Sequence, residues 1–268
     1  MHLRLAILIA ILLAMRDVAS AHGDLHDSIA ATSQAIAQAP GDAALFLRRA
    51  ELHRMHRDLP AAEVDYLQAR TLDPAMEVVT FGIAQVRLAQ GRKNDALKLL
   101  DSFLAKHPAH AAALIVRADV LEKRGDWKKA DADLAAAVAS SPEPHFATMR
   151  AQLLERHGRP EDAARSLDEA SRVRGRVPVL EQQALEIEER AKLTDAALRR
   201  LDGFIAREPR ADIWLARKAQ FLEKSGREPE AREAWQRAAA VFEKVPADKR
   251  GSKANRKLAA EIESGRTR

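Results

Sequence analysis

Apolar and polar positions follow a helical period along most of the chain, in short segments that are joined by tight turns. The clearest example runs from Ala111 to Pro142, where two apolar-periodic segments flank a turn at Gly125 and Asp126. Pro142 ends the second segment, because proline lacks the backbone amide that a further helical turn needs. This stretch predicts a hairpin of two short amphipathic α-helices.

Small residues recur at fixed positions in six hairpins of this kind. Because alanine lets two helix backbones approach closely, we expect these positions to lie where the helices cross. In the fifth hairpin Leu185 replaces the alanine and Lys192 replaces the turn glycine, so the sequence leaves its local geometry open. The first-helix set is Ala50, Ala84, Ala118, Ala151, Leu185 and Ala219; the second-helix set is Ala62, Ala96, Ala130, Ala163, Ala197 and Ala231; a third set is Ala69, Phe103, Ala137, Ala170, Phe204 and Ala238; the turn glycines are Gly91, Gly125, Gly158 and Gly226.

This register resembles the tetratricopeptide repeat (TPR) family, whose unit of about 34 residues is a helix-turn-helix with small residues at these three positions. An alanine-rich bundle without true repeats is the alternative, but it would not keep three sets of positions in register. The resemblance covers residues 43–246 and implies an all-α, right-handed superhelical solenoid of about six repeats. The repeats are expected near 43–76, 77–110, 111–143, 144–177, 178–211 and 212–245.

Both ends of the predicted solenoid carry capping elements. Residues 22–42 predict a lone half-repeat helix that ends before Pro40. Residues 247–268 predict a polar helix and tail in which Leu258 and Ile262 share one face, as a terminal cap with a hydrated outer side requires. The last residues, 265–268, are expected to fray.

Residues 1–21 have the features of a secretory signal peptide. Arg4 supplies a positive start, Leu5 to Met15 is an unbroken apolar run, and residues 19–21 fit the small-x-small cleavage rule. An uncleaved anchor helix is the alternative, but this apolar run is shorter than the roughly 20 residues that cross a bilayer. We therefore expect an exported, periplasmic protein that begins at His22 and has no stable membrane span.

Composition narrows the function further. The chain has 268 residues, of which 47% are hydrophobic and only 4% aromatic, a balance that suits thin helix-on-helix layers. Cysteine is absent, which excludes disulfides and thiolate catalysis. Its 44 basic and 39 acidic residues are interleaved, so the basic stripe with aromatics that nucleic-acid binding needs is missing. Because phosphate-loop, dinucleotide, nucleophile-elbow and zinc-protease motifs are also missing, we expect neither an enzyme nor a nucleic-acid partner.

The TPR resemblance implies that the first helices of the repeats line a concave groove that binds a protein or peptide partner. In this chain the predicted groove is apolar around Phe81 and Leu88 and acidic in later repeats. An apolar segment followed by Lys or Arg would complement it. The alternative is that the carboxylates pair with Arg117, Lys123, Arg156, Arg190 and Lys224 and recognise nothing, and the sequence leaves both open. The predicted groove residues are Leu47, Glu51, Phe81, Gln85, Leu88, Ile115, Asp119, Glu122, Gln152, Glu155, Gln182, Glu186, Glu189, Gln220 and Glu223.

Four histidines near the first hairpin suggest a different function. Folding the chain about Gly41 places His26 near Met55 or His56, and His53 and His56 share one helix face. His22 lies at the same end of the predicted hairpin. Imidazole is a good ligand for copper and zinc, so the alternative function is that of a copper- or zinc-binding periplasmic protein. The competing interpretation is that His53 occupies an ordinary repeat position, His56 precedes a turn, and His22 and His26 are solvated terminal residues.

Overall fold

The computed structural model describes residues 24–173 and 175–267. The predicted signal peptide and His22 lie outside these residues, so the export prediction stays a prediction. Every regular element of the described residues is an α-helix, which confirms the all-α prediction. None of these helices is both long and apolar enough to cross a bilayer.

The first helix, α1, covers residues 24–38. Six helix pairs follow it, and two helices lie after the last pair. The pairs are α2 (Ala43–Met55) with α3 (Leu59–Leu72), α4 (Val78–Ala89) with α5 (Lys93–Lys106), α6 (Ala111–Lys123) with α7 (Trp127–Ser140), α8 (Pro144–Arg156) with α9 (Pro160–Val173), α10 (Pro178–Arg190) with α11 (Thr194–Arg207), and α12 (Ala211–Lys224) with α13 (Glu228–Phe242); the last two helices are α14 (Ala247–Arg250) and α15 (Lys253–Arg266).

The chain forms two compact units, which divide between Ser140 and Ser141. In unit 1, which ends at Ser140, each helix pair packs as a hairpin, and α3 packs on α4 as α5 packs on α6. In unit 2, which begins at Ser141, α9 packs on α10, α11 on α12, and α13 on α15. Within each unit, successive hairpins therefore pack in chain order, as the repeat fold requires.

The recurrent small residues lie in the core. Ala50, Ala84, Ala118, Ala151 and Ala219 are at most 2% exposed, as expected for positions where helices cross. Leu185, which replaces alanine in the fifth hairpin, is completely buried as well. The larger side chain is therefore accommodated inside unit 2.

The hairpin turns share one backbone conformation. Gly91, Gly125, Gly158 and Gly226 have positive φ angles, and so do Arg57 at 65° and Lys192 at 58° in the equivalent turns. The fifth hairpin therefore keeps the same turn conformation although Lys192 replaces the glycine. Packing of the two helices imposes the left-handed turn even on a side chain that disfavours it.

The C-terminal residues also differ from expectation. Helix α15 continues to Arg266, and Gly265 is buried against the indole ring of Trp235. The predicted fraying is wrong for both residues, because a glycine lets α15 approach α13 closely. Ile262 is buried at the same interface, whereas Leu258 is only partly buried.

Candidate partner-binding groove

A groove of about 880 Å³ lies in unit 2 among α10, α12 and α15. Helices α10 and α12 are the first helices of consecutive hairpins, which is the face where a partner was predicted to bind. Three of the predicted residues, Glu186, Glu189 and Gln220, line this groove. The structure therefore brings part of the predicted set together.

The floor and rim of the groove are apolar. Ala216 and Phe221 are buried at its base, whereas Ile213 at the start of α12 is 43% exposed. Leu258 of α15 contributes a partly buried side chain. An exposed branched aliphatic residue beside a concave surface is typical of a binding groove.

Several charged residues around the groove are neutralised within the protein. Arg217 Nε and Nη2 donate to the two carboxylate oxygens of Glu189 at 3.0 and 2.7 Å. Arg190 Nη2 donates to Glu155 at 2.9 Å, which joins α8 to α10. Glu261 lies 3.6 Å from the ammonium group of Lys257.

Three charged side chains of the groove have no ion pair or hydrogen bond with the described residues. Glu186 is exposed on α10, Lys192 lies in the turn after α10, and Lys224 ends α12. Their charges are hydrated and available to a partner. Sequence reasoning identified Glu186 but missed the binding potential of Lys192 and Lys224, because cations at helix ends are common for a separate reason, the helix dipole.

The remaining predicted residues of unit 2 have mixed surroundings. Gln152 and Gln182 are exposed on α8 and α10. Glu223 accepts a hydrogen bond from Trp235 Nε1 at 2.9 Å and therefore supports the core of unit 2. Gln220 also borders a smaller cavity beside Trp235.

In unit 1 the ring of Phe81, which was predicted to face the groove, lies in the core. Its ring is only 9% exposed and stacks on Phe103, with centroids 5.7 Å apart. Packing against Phe103 of the same hairpin and against His110, which precedes α6, buries this ring. Leu47 and Ile115 are partly buried against cores of unit 1, and Gln85, Leu88 and Glu122 are half-buried.

Two acidic residues predicted for the groove in unit 1 are engaged with neighbours. Glu51 accepts hydrogen bonds from Arg54 and from the hydroxyl of Tyr66. Asp119 pairs with Lys123 at 2.6 Å. Together with Glu155 and Arg190, these contacts match the alternative in which carboxylates pair with nearby cations, whereas Glu186 does not.

The predicted proximity of His26 to the end of α2 is confirmed. The His26 and His56 rings contact edge to face, with centroids 4.4 Å apart. His53 lies instead near Asp58 and Asp65, with nitrogen-to-oxygen distances of 3.9 Å. In residues 24–173 and 175–267 no group of three or more His, Asp or Glu side chains is arranged to hold a metal ion.

Buried ion pairs were missed by sequence reasoning. Arg49 donates two hydrogen bonds to Asp65 at 2.7 Å, and Arg117 donates two to Asp133 at 2.8 and 2.7 Å. Both pairs join the two helices of one hairpin at the same separation along the chain. The repeated separation of 16 residues could have revealed both pairs from the sequence. Because the same pair recurs in two hairpins, it indicates a structural role.

A family model described as tetratricopeptide repeat matches residues 13–76, 81–145 and 189–249, which together are more than half of the chain. The protein therefore belongs to the tetratricopeptide repeat family. The first match begins inside the predicted signal peptide. No curated protein matches the sequence significantly.

The chain is similar to several solved structures of repeat proteins. The C-terminal part of a TPR repeat-containing protein from Cytophaga hutchinsonii is similar with a TM-score of 0.58 and 11% identity, over 88% of this chain and 94% of that one. A TPR protein from Parabacteroides merdae has a TM-score of 0.49 and 14% identity, over 90% and 93%. YrrB, described as a TPR protein with an unusual peptide-binding site, has a TM-score of 0.45 and 14% identity, over 87% and 98%. The likeness to the Cytophaga hutchinsonii protein shows similarity of fold only.

Proposed function

We propose that this protein is a TPR scaffold that binds a protein or peptide segment in the groove among α10, α12 and α15. The observation that carries the proposal is the set of uncompensated charges, Glu186, Lys192 and Lys224, around an apolar floor. Charged side chains that only face water have no need of an apolar surface beside them. A partner segment would gain both apolar contact and charge pairing there.

Binding rather than catalysis is the proposed activity of the groove. Its two hydroxyl groups serve the backbone: Ser225 Oγ donates to the Phe221 carbonyl at 2.8 Å, and Thr194 Oγ1 lies 3.4 Å from the Lys192 carbonyl. Neither contacts a base, and the described lining has no histidine. A nucleophile without an adjacent base is weakly reactive.

The predicted partner chemistry is supported in part. Glu186 is the groove carboxylate that can meet a basic side chain, and Ile213 offers the apolar contact. Ile213 therefore supports the apolar part of the predicted segment, and Glu186 supports a single basic contact beside it. The paired carboxylates Glu155 and Glu189 do not add to that preference.

Export to the periplasm is part of the proposal and is supported by the sequence of residues 1–21. Fractionation of the native host with sequencing of the first residue tests it. We expect a periplasmic protein that begins at His22. A full-length protein in the cytoplasm would refute export without affecting the groove.

Site-specific photo-crosslinking tests the scaffold function. A photoreactive amino acid replaces Ile213 in the groove, and in a matched control it replaces Val64, which is 65% exposed on the second helix α3. We expect a discrete adduct from position 213 that excess unmodified protein competes away. Equal adducts from both positions, or none from 213, would contradict the proposal.

The contact between His26 and His56 favours metal binding as a second candidate function. We propose that these two imidazoles, with His22, would hold copper or zinc, and that His53 would not, since it lies near Asp58 and Asp65. Calorimetric titration of the mature chain with each metal tests this. Loss of uptake in the double variant of His26→Ala and His56→Ala, but not in His145→Ala, supports it, and unchanged uptake refutes it.

A further inference from the structure

The groove has the length of a short extended segment. Ile213 and Lys224 lie at opposite ends of the α12 wall, and the helical rise places them about 16 Å apart. An extended chain covers that distance with about five residues. The groove therefore has an apolar end at Ile213 and a charged end at Lys224.

The end at Lys224 is positively charged once the internal ion pairs are taken into account. Glu189 is neutralised by Arg217, and Glu155 neutralises Arg190. Lys192 and Lys224 remain without a partner among the described residues, as does Glu186 one helical turn before Arg190. Two free cations face one free carboxylate, so this end favours negative charge.

Hydroxyl groups lie near both lysines, and Glu223, the acidic residue that directly precedes Lys224, accepts a hydrogen bond from Trp235. Thr194 begins α11 next to Lys192, and Ser225 follows Lys224. Their hydroxyl groups add no charge to the groove. An incoming carboxylate at this end would be repelled by Glu186 and less by Glu261, whose charge Lys257 offsets at 3.6 Å.

We infer that the groove selects an extended segment of about five residues that places an apolar side chain against Ile213 and Leu258 and acidic side chains against Lys192 and Lys224. This inference rests on the proposed function and specifies the partner of the same site. It modifies the preference predicted from the sequence, since a basic residue is complementary only at Glu186. Because both lysines are exposed, the attraction weakens as added salt screens it.

Fluorescence anisotropy with three synthetic peptides tests the inference. All are labelled, blocked at both ends and equal in length. One peptide carries leucine at one end and Asp-Glu at the other, the second replaces Asp-Glu by Lys-Lys, and the third replaces leucine by serine. Each is made in both chain directions. We expect the apolar and acidic peptide to bind at least tenfold more tightly than the other two in its better direction.

Charge reversal supplies the matched control. The double variant of Lys192→Glu and Lys224→Glu is compared with that of Lys98→Glu and Lys128→Glu, which changes the net charge equally at exposed lysines of unit 1. We expect the groove variant to lose at least tenfold in affinity for the acidic peptide and the control to keep wild-type affinity. Circular dichroism melting checks that both variants are folded.

Several results would overturn the inference. They are a tighter complex with the Lys-Lys peptide, no binding of any peptide, or unchanged affinity in the groove variant. Preference for an otherwise neutral peptide with a free C-terminal carboxylate would also overturn it, since that identifies a different occupant. If the adduct from position 213 still forms in the Lys192→Glu and Lys224→Glu variant, the partner chemistry is wrong while the scaffold function stands.

Discussion

The indole ring of Trp235 occupies the space that a side chain on Gly265 would need. A Cβ atom on Gly265 would lie 2.2 Å from Trp235 Cε2, and the indole nitrogen donates to Glu223 at 2.9 Å. This contact holds α15 against α13 within unit 2. Because Leu258 of α15 lines the groove, a glycine near the end of the chain determines the position of one wall of the candidate site.

We predict that Gly265→Ala destabilises the protein by about 1–3 kcal/mol, because the added methyl group overpacks the interface. Urea denaturation measures the decrease in the free energy of unfolding. Faster amide exchange in 253–266 would locate the destabilisation in α15. Gly251→Ala is the control, since no atom lies within 4 Å of the added Cβ and its φ of −71° suits alanine. Equal stabilities of the two variants would show that the close contact does not matter.

Replacing only one partner of the ion pair between Arg117 and Asp133 should lower the stability of the protein strongly. The Asp133 side chain is 8% exposed, so Arg117→Met leaves a buried carboxylate without its bidentate partner and should cost about 3 kcal/mol. Changing Asp133 to Leu as well should recover most of that loss. The matched exposed pair is Arg92 with Asp95, where Arg92→Met should cost less than about 1 kcal/mol. Similar losses at both sites in chemical denaturation would contradict this account.

Tyr66 should resist ionisation in the folded protein. Burial, and then the hydrogen bond that its hydroxyl donates to Glu51, raise the pKa of Tyr66 above its ordinary value of 10.0. The folded state therefore holds the phenolic proton more tightly than the unfolded state. The resulting stabilisation is fully present below about pH 10 and is lost as the pH rises through the folded pKa.

Because Tyr66 is the single tyrosine of the chain, ultraviolet absorbance of its phenolate reports on this group directly. We expect the native protein to titrate at a clearly higher pH than the protein unfolded in guanidinium. Coincident titrations of the two states would disprove the burial of the hydroxyl. A Tyr66→Phe variant gives the baseline.

Substitutions at two equivalent turn positions should change the stability of the protein in opposite directions. Lys192 has a φ of 58°, so Lys192→Gly relieves left-handed strain, but it also gives the unfolded chain more freedom, and we expect a net gain of about 0.5 kcal/mol. Gly125 has a φ of 87°, and Gly125→Ala should lose about 1 kcal/mol. Thermal melting of both variants checks the signs. Destabilisation by Lys192→Gly would mean that the lysine side chain contributes packing.

The hairpin fold was predictable because it depends on local and periodic features. Buried alanines such as Ala118 and Ala151 recur at one position, and turn glycines recur at another, so a single repeat carries most of the information. The approach of His26 to His56 followed from a short connection in the same way. Lys192 shows that packing can impose a turn geometry that its own residue type does not favour.

The candidate site was less predictable, since it depends on which side chains partner each other across helices. Phe81 occupies a groove position in the sequence pattern, but its ring packs on Phe103 of the same hairpin. Glu189 and Glu186 look equivalent in the sequence, yet only Glu189 is neutralised by Arg217 from α12. Such pairings depend on interhelical distances of a few ångströms, which periodicity does not determine.

The measurement that tests the central claim most directly is amide hydrogen exchange of the protein, alone and with a partner purified by pull-down with the unmodified protein. The account predicts that binding slows exchange in 186–193, 213–225 and 258–261, which are the segments around the groove of unit 2. Two results would contradict it. One is slower exchange confined to the second helices α9, α11 and α13, and the other is unchanged exchange in 186–193, 213–225 and 258–261.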